Sequence, residues 1–322
     1  MCLMRLASWI FIFLFGMASG ALAQSDYPSK PIRIVVGYAA GGGNDIIVRV
    51  MQPEMSKGLG QPVIVENKPG AQSIIAAETV AKAAPDGYTI LMGPSGPMTI
   101  NPATYSKLPY DAQRDFAPIS LICQFPLIVA VNAALPVRSV KELIAYAKAN
   151  PGKANYSSSA GIFQVTTELF KQKTGTSFVM IPYKSSGESV QALLTGDAMV
   201  TFVDPPPVTA PLKAGTVRGL AITSATRHPS WPNLPTMAQA GVPDMEVPVW
   251  TAFFAPAKTP SAIVARLQKE VARVVHTAEV KERFAQMGLD PVGGTPDELA
   301  KIVARDLEKY TAVAKAANIK ND

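Results

Sequence analysis

Ile32-Arg33-Ile34-Val35-Val36-Gly37-Tyr38-Ala39-Ala40-Gly41-Gly42-Gly43-Asn44-Asp45 is the stretch that decides the fold. Its first residues form a β-branched run of strand length, and its glycines lead into a segment that puts Ile47, Val50, Met51 and Met55 on one helical face. Strand, glycine loop and helix in that order open a parallel α/β sheet. Without Cβ atoms the loop lets backbone N–H groups approach an anion at the helix N-terminus, so it can hold a phosphate or a carboxylate. It is not a nucleotide loop of the known kinds. No Gly-Lys-Ser/Thr follows, and Ile46 replaces the last glycine of a dinucleotide fingerprint. A tight strand-to-helix turn with no ligand is the competing reading. Asp45 is expected to serve the helix dipole and the loop geometry, because its charge repels a bound carboxylate at contact distance. Pro53 is expected to kink the helix or remove one hydrogen bond near Arg49.

Outward from this unit the alternation continues. A strand is expected at 63–66, a helix at 73–83, and a strand at 88–92 that opens on the loop Gly93-Pro94-Ser95-Gly96-Pro97. A long apolar extended run from Phe116 to Val131 then carries the chain into a second domain, with the crossover near 122–126. Strands are expected at 154–157, 178–182, 199–203 and 218–223, with helices at 141–150, 164–173 and 188–195. The proline-rich stretch 228–248 reads as surface loop with a short helix around 236–240, and 245–256 brings the chain back. Domain 1 is therefore 24–124 with 248–322, and domain 2 is 125–247. The remainder reads as purely helical: Thr259 caps a helix with Pro260 in its first turn, and Thr295 with Glu298 forms a capping box ahead of 299–317.

The composition narrows the chemistry. With 322 residues, 48% apolar and 17% charged, the chain can bury a core, and a length near about 150 residues per domain suggests two. The net charge of +6 is mild, and the Lys and Arg residues are scattered without aromatic stacking sets, which argues against nucleic acid as a partner. Two histidines and two cysteines exclude Cys/His zinc clusters, Cys-x-x-Cys redox chemistry and a disulfide framework; no metal or cofactor is implied. Residues 1–23 carry Arg5, an apolar run over 6–17 and Ala21-Leu22-Ala23, the pattern of a secretory signal peptide cut before Gln24. The run is too short for a membrane span, and Cys2 precedes it, so no lipid anchor is expected. The mature protein is expected to be periplasmic, with Cys123 as a small core residue.

Two further loops sit at strand ends, where ligands of α/β sheets gather. One supplies Ser95, Gly96 and Thr99; the other is Ser157-Ser158-Ser159-Ala160-Gly161. Serine-rich loops commonly serve only as turns or caps. The sequence around Ser95 is not a nucleophile elbow, and only His228, in a loop, or His276, expected to be partly packed on a helix, could act as base. Acyl-transfer catalysis is therefore the minor reading.

The chain resembles the Bug or TctC-like periplasmic solute receptors of tripartite tricarboxylate transporters. The resemblance covers 27–320 and is carried by Tyr27-Pro28, Lys30-Pro31-Ile32-Arg33, Gly41 to Asp45, Gly60-Gln61-Pro62-Val63 and Val65-Glu66-Asn67-Lys68-Pro69-Gly70-Ala71. Pro85-Asp86-Gly87-Tyr88-Thr89, Asn101-Pro102, Tyr110-Asp111, Asp115-Phe116, Pro182-Tyr183-Lys184, Trp250, Ala255-Pro256 and Thr259-Pro260 extend it. It implies a Venus flytrap of the type II periplasmic-binding-protein kind: two α/β domains joined by two crossing strands that close on one small carboxylate. By the same resemblance Tyr38, Ala40, Gly41, Gly42, Gly43 and Asp45, with Ser95, Gly96 and Thr99, hold the anchoring carboxylate, often through water. Ser157, Ser158, Ser159, Ala160, Gly161, Tyr183 and Asp204 read the rest of the solute. It also implies a monomer that delivers its solute to a membrane permease, without catalysis; a ligand-dependent sensor and a hydrolase are the rival readings.

Departures from the family pattern fall in these loops. Ala40 replaces a usual proline, the 157–161 loop is about two residues shorter, and Gln164 stands for a histidine. Ser185 stands where glycine is common, and Asp204 is followed by prolines at 205–207. A shorter loop with the small Ala160 suggests room for a bulkier or more apolar solute, for example an aromatic carboxylate; an aromatic acid and a dicarboxylate are both expected candidates. No arginine lies in these loops, so amides, hydroxyls and helix N-termini are expected to hold the anion, with Lys184 as the nearby cation.

Overall fold

The computed structural model describes residues 27–316 and 319–321. The expected signal peptide and its cleavage before Gln24 lie outside these residues. The described chain is α/β, and its strands divide into two sheets.

The first sheet contains β1 (Ile32–Val36), β2 (Val63–Asn67), β3 (Thr89–Pro94), β4 (Phe116–Phe125), β10 (Val249–Pro256) and β11 (Asp290–Pro291), in the order β11-β4-β10-β3-β1-β2. β1 runs parallel to both β2 and β3, whereas β10 is antiparallel to β3 and β4. The second sheet contains β5 (Ile128–Asn132), β6 (Asn155–Ser158), β7 (Val179–Pro182), β8 (Val200–Val203) and β9 (Val217–Ile222), in the order β7-β6-β8-β5-β9. Ile32, Ile34, Val35 and Val36 of β1 are fully buried, as are Ile47, Met51 and Met55 on the helix Gly43–Leu59 that follows it. That helix runs unbroken through Pro53.

The chain passes from one sheet to the other between Phe125 and Ile128, and returns between Ile222 and Val249. Thr223 fastens the two passages together. Its Oγ1 accepts from Leu127 N–H (2.9 Å) and donates to Val247 O (3.1 Å), while its backbone bonds both segments as well. One buried hydroxyl thus ties together the segments that connect the two sheets.

Several expectations are corrected. The residues 236–240 form a turn closed by Ala240 N–H to Thr236 O, not a helix, because Gly241, at φ +91°, ends the winding at once. A helix Pro205–Ala214 occupies the proline run that followed Asp204; prolines in a first turn lack only N–H groups that a helix leaves unbonded there. The part after Pro256 is not purely helical, since β11 pairs with β4. Pro260, not Thr259, is the N-cap residue of the helix Ser261–Val275, and Thr259 Oγ1 is buried without a partner. His276 is exposed instead of packed, at the end of that helix. The loop expected after residue 92 is shorter: Gly93 and Pro94 extend β3, and Gly96–Ile100 wind directly into the helix Asn101–Thr104. The helix expected from residue 73 begins at Ile74, behind a single turn over Ala71–Ser73. The capping box forms, with Thr295 N–H bonded to Glu298 Oε2 (2.8 Å) and Glu298 N–H to Thr295 Oγ1 (3.3 Å). Cys123 is buried in the core, and burial pushes its thiol well up, as do the charges of Asp290 and Asp204.

Candidate functional site: a cleft between two sets of strand ends

The carboxyl ends of β1, β2 and β3 face those of β6, β7 and β8 across a cleft. A cavity of about 210 Å³ lies there. From the first sheet it takes Gly37, Tyr38 and the loop Gly70-Ala71-Gln72-Ser73; from the second it takes Ser158, Ser159, Ala160, Gln164, Met180, Pro182, Tyr183 and Lys184.

The glycine loop brings the two sides into contact. Ala39 N–H donates to Lys184 O (3.1 Å), and Gly43 N–H donates to Ser186 Oγ (3.0 Å). Only glycine fits at 43, because Asp204 Oδ2 lies 1.7 Å from the place its Cβ would take. Asp204 occupies the N-cap position of the helix Pro205–Ala214 without a side-chain capping hydrogen bond, and it is buried. Burial pushes its carboxyl up to about 6, against the opposing effect of a hydrogen bond from Ser186, and its Oδ1 has no partner. Ser185, the residue found in place of the family glycine, has a local job: its Oγ accepts from Glu188 N–H (3.2 Å) while Glu188 Oε2 accepts from Lys184 N–H (2.9 Å).

Asp45 is turned away from the cavity and holds the loop. Its carboxylate accepts from Gly41 N–H (3.0 Å), Arg49 Nε (2.9 Å) and Asn67 Nδ2 (3.0 Å). Burial raises its pKa, but these hydrogen bonds outweigh the effect and keep it below the ordinary range. Asn67 also donates to Tyr38 O (3.0 Å), so the end of β2 and the glycine loop are one rigid piece.

The residues singled out from the sequence separate into three groups. Tyr38, Ser158, Ser159, Ala160 and Tyr183 line the cavity. Gly42, Gly43 and Asp204 lie where the two sides touch, whereas Ala40 and Gly41 are exposed on the outer turn of the loop. Ser95, Gly96, Thr99, Ser157 and Gly161 are buried behind the cavity wall. There Thr99 Oγ1 donates to Ser95 O (2.7 Å) and Ser157 Oγ donates to Ser189 O (3.1 Å), while Ser95 Oγ has no partner.

The loop Gly70–Ser73 was not among the expected site residues. Ala71, Gln72 and Ser73 take φ of 44°, 53° and 72°, the left-handed region that non-glycine residues rarely adopt. Gln72 Oε1 and Ser73 Oγ are both buried without partners. Such an outlier points to function, and nothing in the residue types of Ala-Gln-Ser announces it. The one signal was the preceding Asn67-Lys68-Pro69-Gly70, a turn-rich ending to a strand.

This geometry has close relatives. The profile described as "Tripartite tricarboxylate transporter family receptor" matches residues 47–319. The chain belongs to that family. Protein BugT of Bordetella pertussis is 34% identical over 314 residues, covering 97% of this chain and 96% of its own. A solved structure titled "R. palustris Rpa4515 with adipate" is 35% identical with a TM-score of 0.88, covering 92% of this chain and 99% of that one. MatC of Rhodopseudomonas palustris, solved with bound malate, is 30% identical with a TM-score of 0.86, over 89% of this chain and 99% of that one. Members of the receptor family are periplasmic solute-binding proteins, and the fold here is theirs. Among the described residues no helix is long and apolar enough to cross a membrane.

Proposed function

We propose that this protein captures a small carboxylate in the cleft and delivers it to a permease of the tripartite tricarboxylate type, without chemical change to the solute. The observation that carries this reading is the charge of the cavity wall. Among the described residues Lys184 is the one charged residue lining it; Tyr38, Ser158, Ser159 and Tyr183 with the side chains of Gln72 and Gln164 supply the remaining polarity. A wall with one cation and no carboxylate favours an anion and offers nothing to balance a cationic ammonium group. Met180, Pro182, Ala71 and Ala160 add apolar surface, which suits the hydrocarbon part of an organic acid. Adipate in one relative and malate in another support the solute class.

The proposed hinge divides the chain into 24–124 with 248–322 and 125–247. Export with cleavage before Gln24 places the receptor in the periplasm. Opening about Thr223 breaks the Ala39–Lys184 and Gly43–Ser186 bonds and frees the solute.

The test is thermal unfolding of protein stripped of ligand by denaturation and refolding, against adipate, malate, succinate, benzoate and a set of amino acids. One carboxylate is expected to stabilise the fold by about 2.7 kcal/mol at a hundredfold excess over its Kd. A response confined to amino acids, or none to any carboxylate, overturns the assignment. Comparison of benzoate with adipate decides whether the shorter 157–161 loop admits an aromatic solute.

A further inference from the structure

A chain of side-chain amides crosses the cleft and ends on a residue that does not line the cavity. Its polarity can be read from one end. Thr104 Oγ1 donates its proton to Ile100 O (2.9 Å), so it can only accept from Asn321, whose Nδ2 lies at 3.2 Å. Asn321 is further fixed by its backbone N–H, which donates to Thr104 O (3.0 Å). Asn321 Oδ1 therefore faces the other way and accepts from Gln164 Nε2 (3.1 Å). Gln164 Oε1 in turn accepts from Gln72 Nε2 (3.2 Å). Each amide is oriented by the one before it, and the chain terminates in Gln72 Oε1, a buried acceptor with no donor. Gln72 and the Thr104–Asn321 pair belong to the first-sheet side and Gln164 to the second, so the chain spans the cleft twice.

Gln72 and Gln164 line the cavity; Asn321 and Thr104 do not. Resting on the receptor reading above, we infer that Asn321 is a positioning residue of the site, which holds Gln164 and, through it, fixes Gln72 in the cavity wall with its Oε1 turned inward against Gly161. The same two crossings help to keep the cleft shut. They lie at the Gln72–Gln164 wall, away from the Ala39–Lys184 and Gly43–Ser186 bonds of the glycine-loop wall.

The experiment uses the full chain without ligand. Side-chain amide NMR of glutamine-labelled protein follows Gln72 and Gln164, and backbone hydrogen exchange follows Ala39 and Gly43. Asn321→Ala is expected to move the Gln72 side-chain resonances, although Gln72 does not touch Asn321, and to speed exchange at Ala39 and Gly43 by about three- to tenfold, the effect of one lost net hydrogen bond. Asn321→Asp keeps an acceptor for Gln164 and should leave Gln72 near its original position. Unmoved Gln72 resonances and unchanged exchange in Asn321→Ala overturn the inference. Because neither readout needs a solute, failure of the carboxylate panel and failure of the positioning role give separate results.

Discussion

The loops 38–43 and 70–73 leave neighbouring strands of one sheet, and they differ in almost every physical respect. The first is glycine-rich, and its amides at Ala39 and Gly43 are already bonded across the cleft. The second has non-glycine residues in the left-handed region and leaves two polar side-chain atoms buried and unbonded. The glycine loop works as a contact surface that lets the two sides approach; the strained loop lines the cavity while its two unbonded atoms, Gln72 Oε1 and Ser73 Oγ, are turned into the protein. Glycine marks where backbones must come close, and strain marks where side chains are held ready.

The largest expected effect breaks the first half of that comparison. Gly43→Ala puts a methyl carbon into Asp204 Oδ2, which lies 1.7 Å from that position. Closure then requires displacement of a buried carboxylate and the helix behind it, an overpacking cost of about 2–3 kcal/mol. Carboxylate binding should weaken by about a hundredfold in titration calorimetry while the unliganded protein keeps its circular dichroism spectrum; unchanged affinity shows that the contact is dispensable.

The second prediction concerns the same contact through pH. Burial against the glycine loop pushes the Asp204 carboxyl up to about 6, above the ordinary 3.8. The closed protein therefore holds the proton more tightly than the unfolded chain does. Its stabilising contribution is complete below about pH 4 and is lost as pH rises through about 6. Relative to Asp204→Asn, the native protein should lose stability by about 2 kcal/mol between pH 4 and pH 7 in denaturant titrations. Parallel pH curves for the two proteins contradict the role of burial.

The smallest effect sharpens the other half. Ala71 is exposed at φ 44°, so Ala71→Gly relieves left-handed strain without removing a contact of the core. Stability should rise by about 1 kcal/mol, read as a higher Tm, with a cost in affinity if the rigid loop is what holds Gln72 and Ser73 in place. A lower Tm removes strain as the distinguishing property of this loop.

Most of the strands and helices were legible because their apolar periodicity is long and clean, as in β1 and the helix Gly43–Leu59. Legibility failed where local composition misled. No element was expected at the prolines 205–207, yet they start a helix, since their missing N–H groups fall in the turn that needs none. The stretch 236–240 looked helical yet has room for one turn before Gly241. Within the site, Tyr38, Tyr183 and the serines at 158 and 159 could be picked out as strand-end residues. Gln72 and Ser73 could not, because left-handed geometry in non-glycine residues leaves no mark on the residue types.

The sequence by itself determined the α/β class, the family and the glycine loop with its Asp45 staple, all of which follow from short-range patterns of polarity, glycine and capping. Tertiary structure alone decided which loops meet across the cleft, that Asp204 is buried against Gly43, and that Asn321 reaches Gln164. These are contacts between residues up to 161 positions apart, as with Gly43 and Asp204, and they depend on two sheets approaching within hydrogen-bonding distance. Local sequence specifies each strand end; only the closing of one set on the other specifies the site.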